Sequence, residues 1–170
     1  MNNNRFRLFY LLLTDKLKAL VMRIIKSAEI GKPSQVVFDY LKLTRNQDNF
    51  SVWNMADPGM KKEQSGTDGE VGFIYRWDSQ NKNVGAGEQE TTAVIPGKRI
   101  DSAIRFFRPM QNTGTTSFII SETGSNSSRV EWIFDSPSKF PMVLFAPIFK
   151  KMLGKDLEKG LANLKGILER

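Results

Sequence analysis

The stretch V-G-F-I-Y-R-W-D at residues 71–78 opens a succession that continues as V-G-A-G-E-Q-E at 84–90, I-D-S-A-I-R-F-F-R-P at 100–109 and R-V-E-W-I-F at 129–134. Within each piece apolar and polar residues tend to alternate, the period of an extended strand with one face turned inward. Turn-forming segments separate the pieces: Ser79 to Asn83, Pro96-Gly97, Pro109 to Gly114 and Gly124 to Ser127. A weak strand over Met60 to Gln64 and another over Thr115 to Glu122 complete a meander of six. Period-two geometry collects Val71, Phe73, Tyr75 and Trp77 on one inward face. The other strands contribute Ile100, Ser102, Ile104 and Phe106, then Thr116, Phe118 and Ile120, then Val130, Trp132 and Phe134.

Upstream, Arg23 to Ile30 reads as a first strand, and Gly31-Lys32-Pro33-Ser34 stops it. Pro33 or Ser34 opens a helix carrying Val36, Val37, Phe38, Tyr40, Leu41 and Leu43. A second short helix or turn runs through Phe50 and Trp53, and Asp57-Pro58-Gly59 ends it. Downstream, Phe145, Phe149, Met152, Leu157, Leu161, Leu164 and Leu168 recur at spacings of mostly three and four, one stripe of a long helix. Gly154, Gly160 and Gly166 each weaken that helix by roughly 1 kcal/mol relative to Ala, and let neighbouring groups approach. Met142 and the segment from Pro141 to Phe149 read either as a lip over the inward faces or as ordinary helix packing. The expected fold class is α+β: a curved antiparallel sheet wrapped around a long C-terminal helix, with two short helices after the first strand.

The 170 residues fit one domain, and 40% apolar composition supports a folded globule. Cysteine and histidine are both absent. Their absence excludes disulfides, thiolate metal sites and Ser-His or Cys-His nucleophiles, and points to a cytoplasmic protein. No metal site and no cofactor is expected; Asp135, Asp156 and Glu158 are not spaced as a metal cluster. The net charge is +7, but its Lys and Arg are scattered rather than gathered with aromatics on one stripe, so nucleic-acid binding is not expected.

Residues 1–21 differ from the rest and read as an N-terminal extension outside a core domain of 22–170. Arg5 and Arg7 precede the six-residue apolar run Leu8 to Leu13, far short of the roughly 20 residues needed to span a bilayer. Leu13, Leu17, Leu20 and Val21 fall at helical spacing, so membrane contact through residues 5–21 is an alternative, but not the favoured one.

The motifs V-F-D-Y-L at 37–41, Trp53, V-G-F-I-Y-R-W at 71–77, V-G-A-G-E at 84–88, F-R-P at 107–109, R-V-E-W at 129–132 and L-G-K-D-L-E-K-G-L-A-N-L-K at 153–165 follow one another in an order that resembles the SRPBCC, or START-like, helix-grip superfamily. That group includes polyketide cyclase/dehydrase, lipid-transport and plant pollen-allergen proteins. The resemblance covers residues 22–170. It implies a hydrophobic or amphipathic small-molecule partner, lipid- or polyketide-like, held between sheet and helix. Relatives often carry Thr-Arg-Val before the last-strand Trp, where this chain has Ser128-Arg129-Val130. The polar constellation of the superfamily's enzymes finds no residue-by-residue match.

The expected ligand-binding wall is Trp53, Phe73, Tyr75, Trp77, Phe106, Phe118, Trp132, Phe149 and Met152. A solid core of the same aromatics is the competing reading. Two further functions stay open: a cyclase or dehydratase using the same cavity, with Glu88 and Tyr75 as catalytic candidates, and a membrane-surface lipid-handling protein. Glu88 and Glu90 share a strand face with Thr92, either as an acid pair in a pocket or as partners of arginines such as Arg105 on the solvent side.

Overall fold

The computed structural model describes residues 20–138 and 146–170. The chain runs β1 (Leu20–Ile30), α1 (Ser34–Leu41), a 3-10 helix (Thr44–Asn49), α2 (Val52–Ala56), β2 (Lys61–Ser65), β3 (Ile74–Asp78), β4 (Ala86–Ile95), β5 (Arg99–Arg108), β6 (Asn112–Gly124), β7 (Ser127–Ser138) and α3 (Ala146–Leu168). All seven strands pair antiparallel in one sheet, in the order β1-β7-β6-β5-β4-β3-β2. The β2-to-β7 meander is thus continuous, and β1 returns to pair with the last strand along its whole length, from Leu20 opposite Ser138 to Ile30 opposite Ser128.

Local chemistry accounts for these boundaries. Pro33 precedes α1 and Pro147 sits in the first turn of α3, where a missing N–H costs nothing. The 3-10 helix is capped from a distance: the carboxylate of Asp68, in the loop before β3, accepts from the Thr44 amide at 2.7 Å and the Arg45 amide at 3.3 Å. Breaks in the β4–β5 register between Ala86 and Gly87 and between Thr91 and Ala93 are irregularities of the kind that bend and twist a strand. Helix α3 is fastened to β1 by Lys26–Glu158 at 3.1 Å and by Lys165 Nζ donating to the Glu29 carbonyl at 2.8 Å, and just beyond both elements the Gly31 amide donates to Glu169 at 2.6 Å.

Two boundaries differ from the sequence reading. β3 begins at Ile74, not Val71: Gly72 adopts φ +88°, which ends extended geometry there, and Val71 is exposed. β1 begins at Leu20, two residues inside the segment read as an extension. Residues 1–19, which hold most of that extension and of the proposed membrane contact, lie outside the described residues, as does most of the expected lip, 139–145.

One core cluster fills part of the space between sheet and helix: Phe38, Leu41 and Phe50 from the short helices and their junction, Ile100, Phe118, Ile120 and Val130 from the sheet, and Leu157, Leu161 and Leu164 from α3. Phe50 is the wedge. It is fully buried, and its ring meets Trp132 edge-on at 5.7 Å and Phe118 at 6.2 Å. Asn163 of α3 donates to its carbonyl at 3.1 Å.

Candidate functional site: a cavity between sheet and helix

The core stops partway along the sheet. Beyond it, under the N-terminal half of α3, lies a cavity of about 900 Å³, within the range of small-molecule sites. The sheet turns Gln89, Ile104, Phe106, Thr116, Trp132 and Phe134 toward it. Phe149, Met152, Leu153 and Leu157 cover it from α3, and Trp53 and Asn54 from α2. Its far end is bordered by Asn83 and Val84 of the β3–β4 loop and by the β5–β6 turn from Pro109 to Gln111.

Much of the wall is aromatic. Trp77 meets Phe106 at 6.1 Å and 77°, Phe106 meets Phe134 at 6.5 Å and 64°, and Trp53 meets Trp132 at 6.4 Å and 85°. Such edge-on contacts fix ring orientations while leaving faces free. Gly87 makes room for one of them: a Cβ there would lie 2.6 Å from the Trp77 ring.

Several polar ends on this wall are occupied. Trp132 Nε1 donates to Thr116 Oγ1 at 2.9 Å, and that hydroxyl donates to the Ile133 carbonyl at 3.0 Å. The Tyr75 hydroxyl donates to Asp48 at 2.7 Å. Asp48 also accepts from Asn54 at 2.8 Å and from Lys62 at 2.9 Å. Burial pushes the Asp48 carboxyl up, but these three hydrogen bonds and the Lys62 charge outweigh it and hold it below its ordinary value. Burial and the adjacent carboxylate push the Tyr75 phenol far up, so it stays a neutral hydroxyl.

Of the residues expected from sequence, Trp53, Tyr75, Trp77, Phe106, Trp132, Phe149 and Met152 border this one space. Phe118 and Phe73 do not. Phe118 packs behind the wall, 4.9 Å from the Trp132 ring, because its strand position faces the filled part of the core. Phe73 precedes β3, its backbone bonded to Thr91, and it is buried away from the cavity. Glu88 sits on the opposite face of β4. There it accepts from Arg76 and from Arg105, each at 2.8 Å, and Arg105 reaches Glu90 at 2.8 Å as well. Burial raises the Glu88 carboxyl, and the two guanidiniums bring it below its ordinary value. It is a paired carboxylate on the outer face, not an acid facing the cavity.

Sequence reasoning missed Asp48, Lys62 and Gln89. Asp48 and Lys62 lie 14 residues apart, across α2 and the turn after it, and no local pattern joins them. Gln89 was legible in principle: if Glu88 and Glu90 face outward, period two turns the residue between them inward. Among the described residues no cluster of His, Cys, Asp or Glu is arranged to hold a metal, and no helix is long and apolar enough to cross a membrane.

No family model matches the chain, and no curated protein matches it by sequence. Solved structures do match its shape. Norcoclaurine synthase from Thalictrum flavum, in complex with dopamine and hydroxybenzaldehyde, superposes with a TM-score of 0.67 at 13% identity, over 91% of each chain. The fold is the helix-grip fold. The Aha1 dimer from Colwellia psychrerythraea shares this helix-grip plan, with a TM-score of 0.58 at 16% identity over 86% of this chain and 96% of that one. So does DynU16, from the dynemicin biosynthetic locus, with a TM-score of 0.59 at 14% identity over 86% of this chain and 47% of DynU16.

Proposed function

We propose that the protein binds a hydrophobic or amphipathic small molecule in this cavity. The observation that carries the reading is a space of about 900 Å³ walled by aromatic and aliphatic side chains in a helix-grip frame. Burial of a guest there yields about 25 cal/mol per Å² of apolar area, less the cost of immobilising it. The norcoclaurine synthase structure, which holds dopamine and hydroxybenzaldehyde, supports a small aromatic or comparably apolar guest. The cysteine-free composition supports a cytoplasmic setting. Against a cyclase or dehydratase that uses Glu88 stand its outward position and two arginine partners.

The chain carries its own reporter. Its three tryptophans, Trp53, Trp77 and Trp132, all border the cavity. Native mass spectrometry of freshly purified protein is expected to reveal a retained small molecule. Titration with apolar aromatic compounds is expected to shift tryptophan emission saturably. Protein that emerges empty and gives no saturable response to any of a broad panel ends the proposal.

A further inference from the structure

One end of the cavity is unlike the rest. On the inner face of the sheet, Thr91 of β4 stands opposite Ser102 of β5, and Ser102 opposite Thr116 of β6, a row of three hydroxyls across adjacent strands. Gln89, two residues before Thr91, extends the row into the cavity wall. All four are at most 8% exposed. The row marks where the hollow meets the core: Ile104 and Phe106 lie on its open side, Phe134 continues it opposite Thr116, and Ile100, Phe118 and Ile120 lie on its filled side.

Its hydrogen bonds do not close among the described residues. Gln89 Nε2 donates to Ser102 Oγ at 3.2 Å, and Thr116 serves Trp132. Thr91 Oγ1 is sealed from solvent with no partner. Gln89 Oε1 accepts from no donor among the described residues, and Gln89 borders the cavity. A buried amide with one end pinned and the other free costs free energy until a donor arrives.

The charge around this acceptor is also defined. Arg105 and Arg108 border the cavity, but their guanidiniums are engaged with Glu88, Glu90 and Asp78. Asp48 is held by Lys62 and Tyr75. No uncommitted charge faces the row among the described residues to welcome an ionised group, and desolvating one there is costly. A neutral hydroxyl satisfies both conditions.

We infer that Gln89 is a hydrogen-bonding station at the inner end of the cavity, selecting guests with a neutral hydroxyl that enters first, an alcohol or phenol rather than a carboxylate. This rests on the ligand-binding reading and narrows its chemistry. The test uses one skeleton with three heads, 2-naphthol, 2-methoxynaphthalene and 2-naphthoate, titrated calorimetrically at neutral pH into the full chain and into Gln89→Met, which keeps side-chain length but not the amide.

Wild type is expected to bind the naphthol about tenfold more tightly than the methyl ether, the effect of about one hydrogen bond, and the naphthoate most weakly. In Gln89→Met the naphthol advantage is expected to fall below about twofold while the ether still binds. Equal binding of naphthol and ether by wild type, or an undiminished preference in Gln89→Met, overturns the station and leaves the apolar cavity standing. A naphthoate that outbinds the naphthol overturns the neutral selection. If none of the three binds and no apolar panel member does, the cavity reading fails and takes the station with it. Because the wild-type comparison stands alone, a variant that does not fold leaves the claim open to refutation.

Discussion

The two halves of the space between sheet and helix are built from similar residues and end differently. Under Leu161 and Leu164 the interior is solid; under Phe149, Met152 and Leu153 it is hollow, and Leu157 stands at the seam. Both halves are faced by aromatic and branched side chains from the same strands. The difference is Phe50. Carried between the 3-10 helix and α2, it drives a ring into the first half, and no described residue does so in the second. Hydrophobic composition alone therefore does not decide whether a core fills. What decides is whether a neighbouring element delivers a side chain to the gap.

The sharpest way to break this contrast is to remove the wedge. Phe50→Ala is expected to lower stability by about 3–5 kcal/mol, read from the urea midpoint, because the surrounding rings cannot collapse onto the void. Phe106→Ala, which enlarges a space that already exists, is expected to lower it by about 1 kcal/mol and instead to weaken binding of an apolar probe. Equal losses in the two variants would mean that the halves are packed alike and the hollow is not real.

Two glycines of α3 sharpen the comparison at the level of a single carbon. A Cβ at Gly160 would lie 2.7 Å from the Trp132 ring; one at Gly166 meets nothing within 4 Å. Gly160→Ala is expected to cost about 1–3 kcal/mol through overpacking, despite the better helix propensity of Ala. It should also move Trp132, the wall that both halves share, and so shift tryptophan emission. Gly166→Ala is expected to stabilise by about 0.5–1 kcal/mol, since only propensity changes. A Gly160→Ala protein as stable as wild type would show the seam between the halves to be loose.

The frame was legible because strand and helix periods are local. The alternation from Ile100 to Phe106 and the leucine stripe from Leu157 to Leu168 each announce a buried face without reference to any other segment. Tyr75, Trp77, Phe106, Trp132, Phe149 and Met152, which border the cavity, were legible for the same reason, whereas Trp53 was singled out only through the family resemblance. What was not legible depends on register and on contacts distant in sequence. Phe118 alternates just as Phe106 does, but only the sheet pairing places it on the filled side. Val71 fits the alternation of Phe73 and Tyr75, yet Gly72 breaks the strand between them. Asp48 is a polar residue in a turn until the fold sets Tyr75, Asn54 and Lys62 around it.

The smallest effects concern two carboxylates that face different worlds. Asp48 braces the segment that carries Phe50 against the β2–β3 hairpin, and Glu88 lies on the outer face between two half-exposed arginines. Both titrate below their ordinary value, so the sign is the same. Each contributes stability above its unfolded pKa of about 4, and that contribution fades as the pH falls through the lower folded value. The sizes should differ. Asp48→Asn is expected to cost about 1 kcal/mol at pH 7 and to flatten the acid limb of stability against pH, because its hydrogen-bond partners are partly buried. Glu88→Gln is expected to cost no more than a few tenths of a kcal/mol, since the exposed guanidiniums are screened, and to lose even that in high salt. If Glu88→Gln instead proves the costlier change, or its effect survives 1 M salt, the outer ion pairs help hold the sheet's curvature. The hollow would then owe its shape to the strand faces turned away from it as well as to the missing wedge.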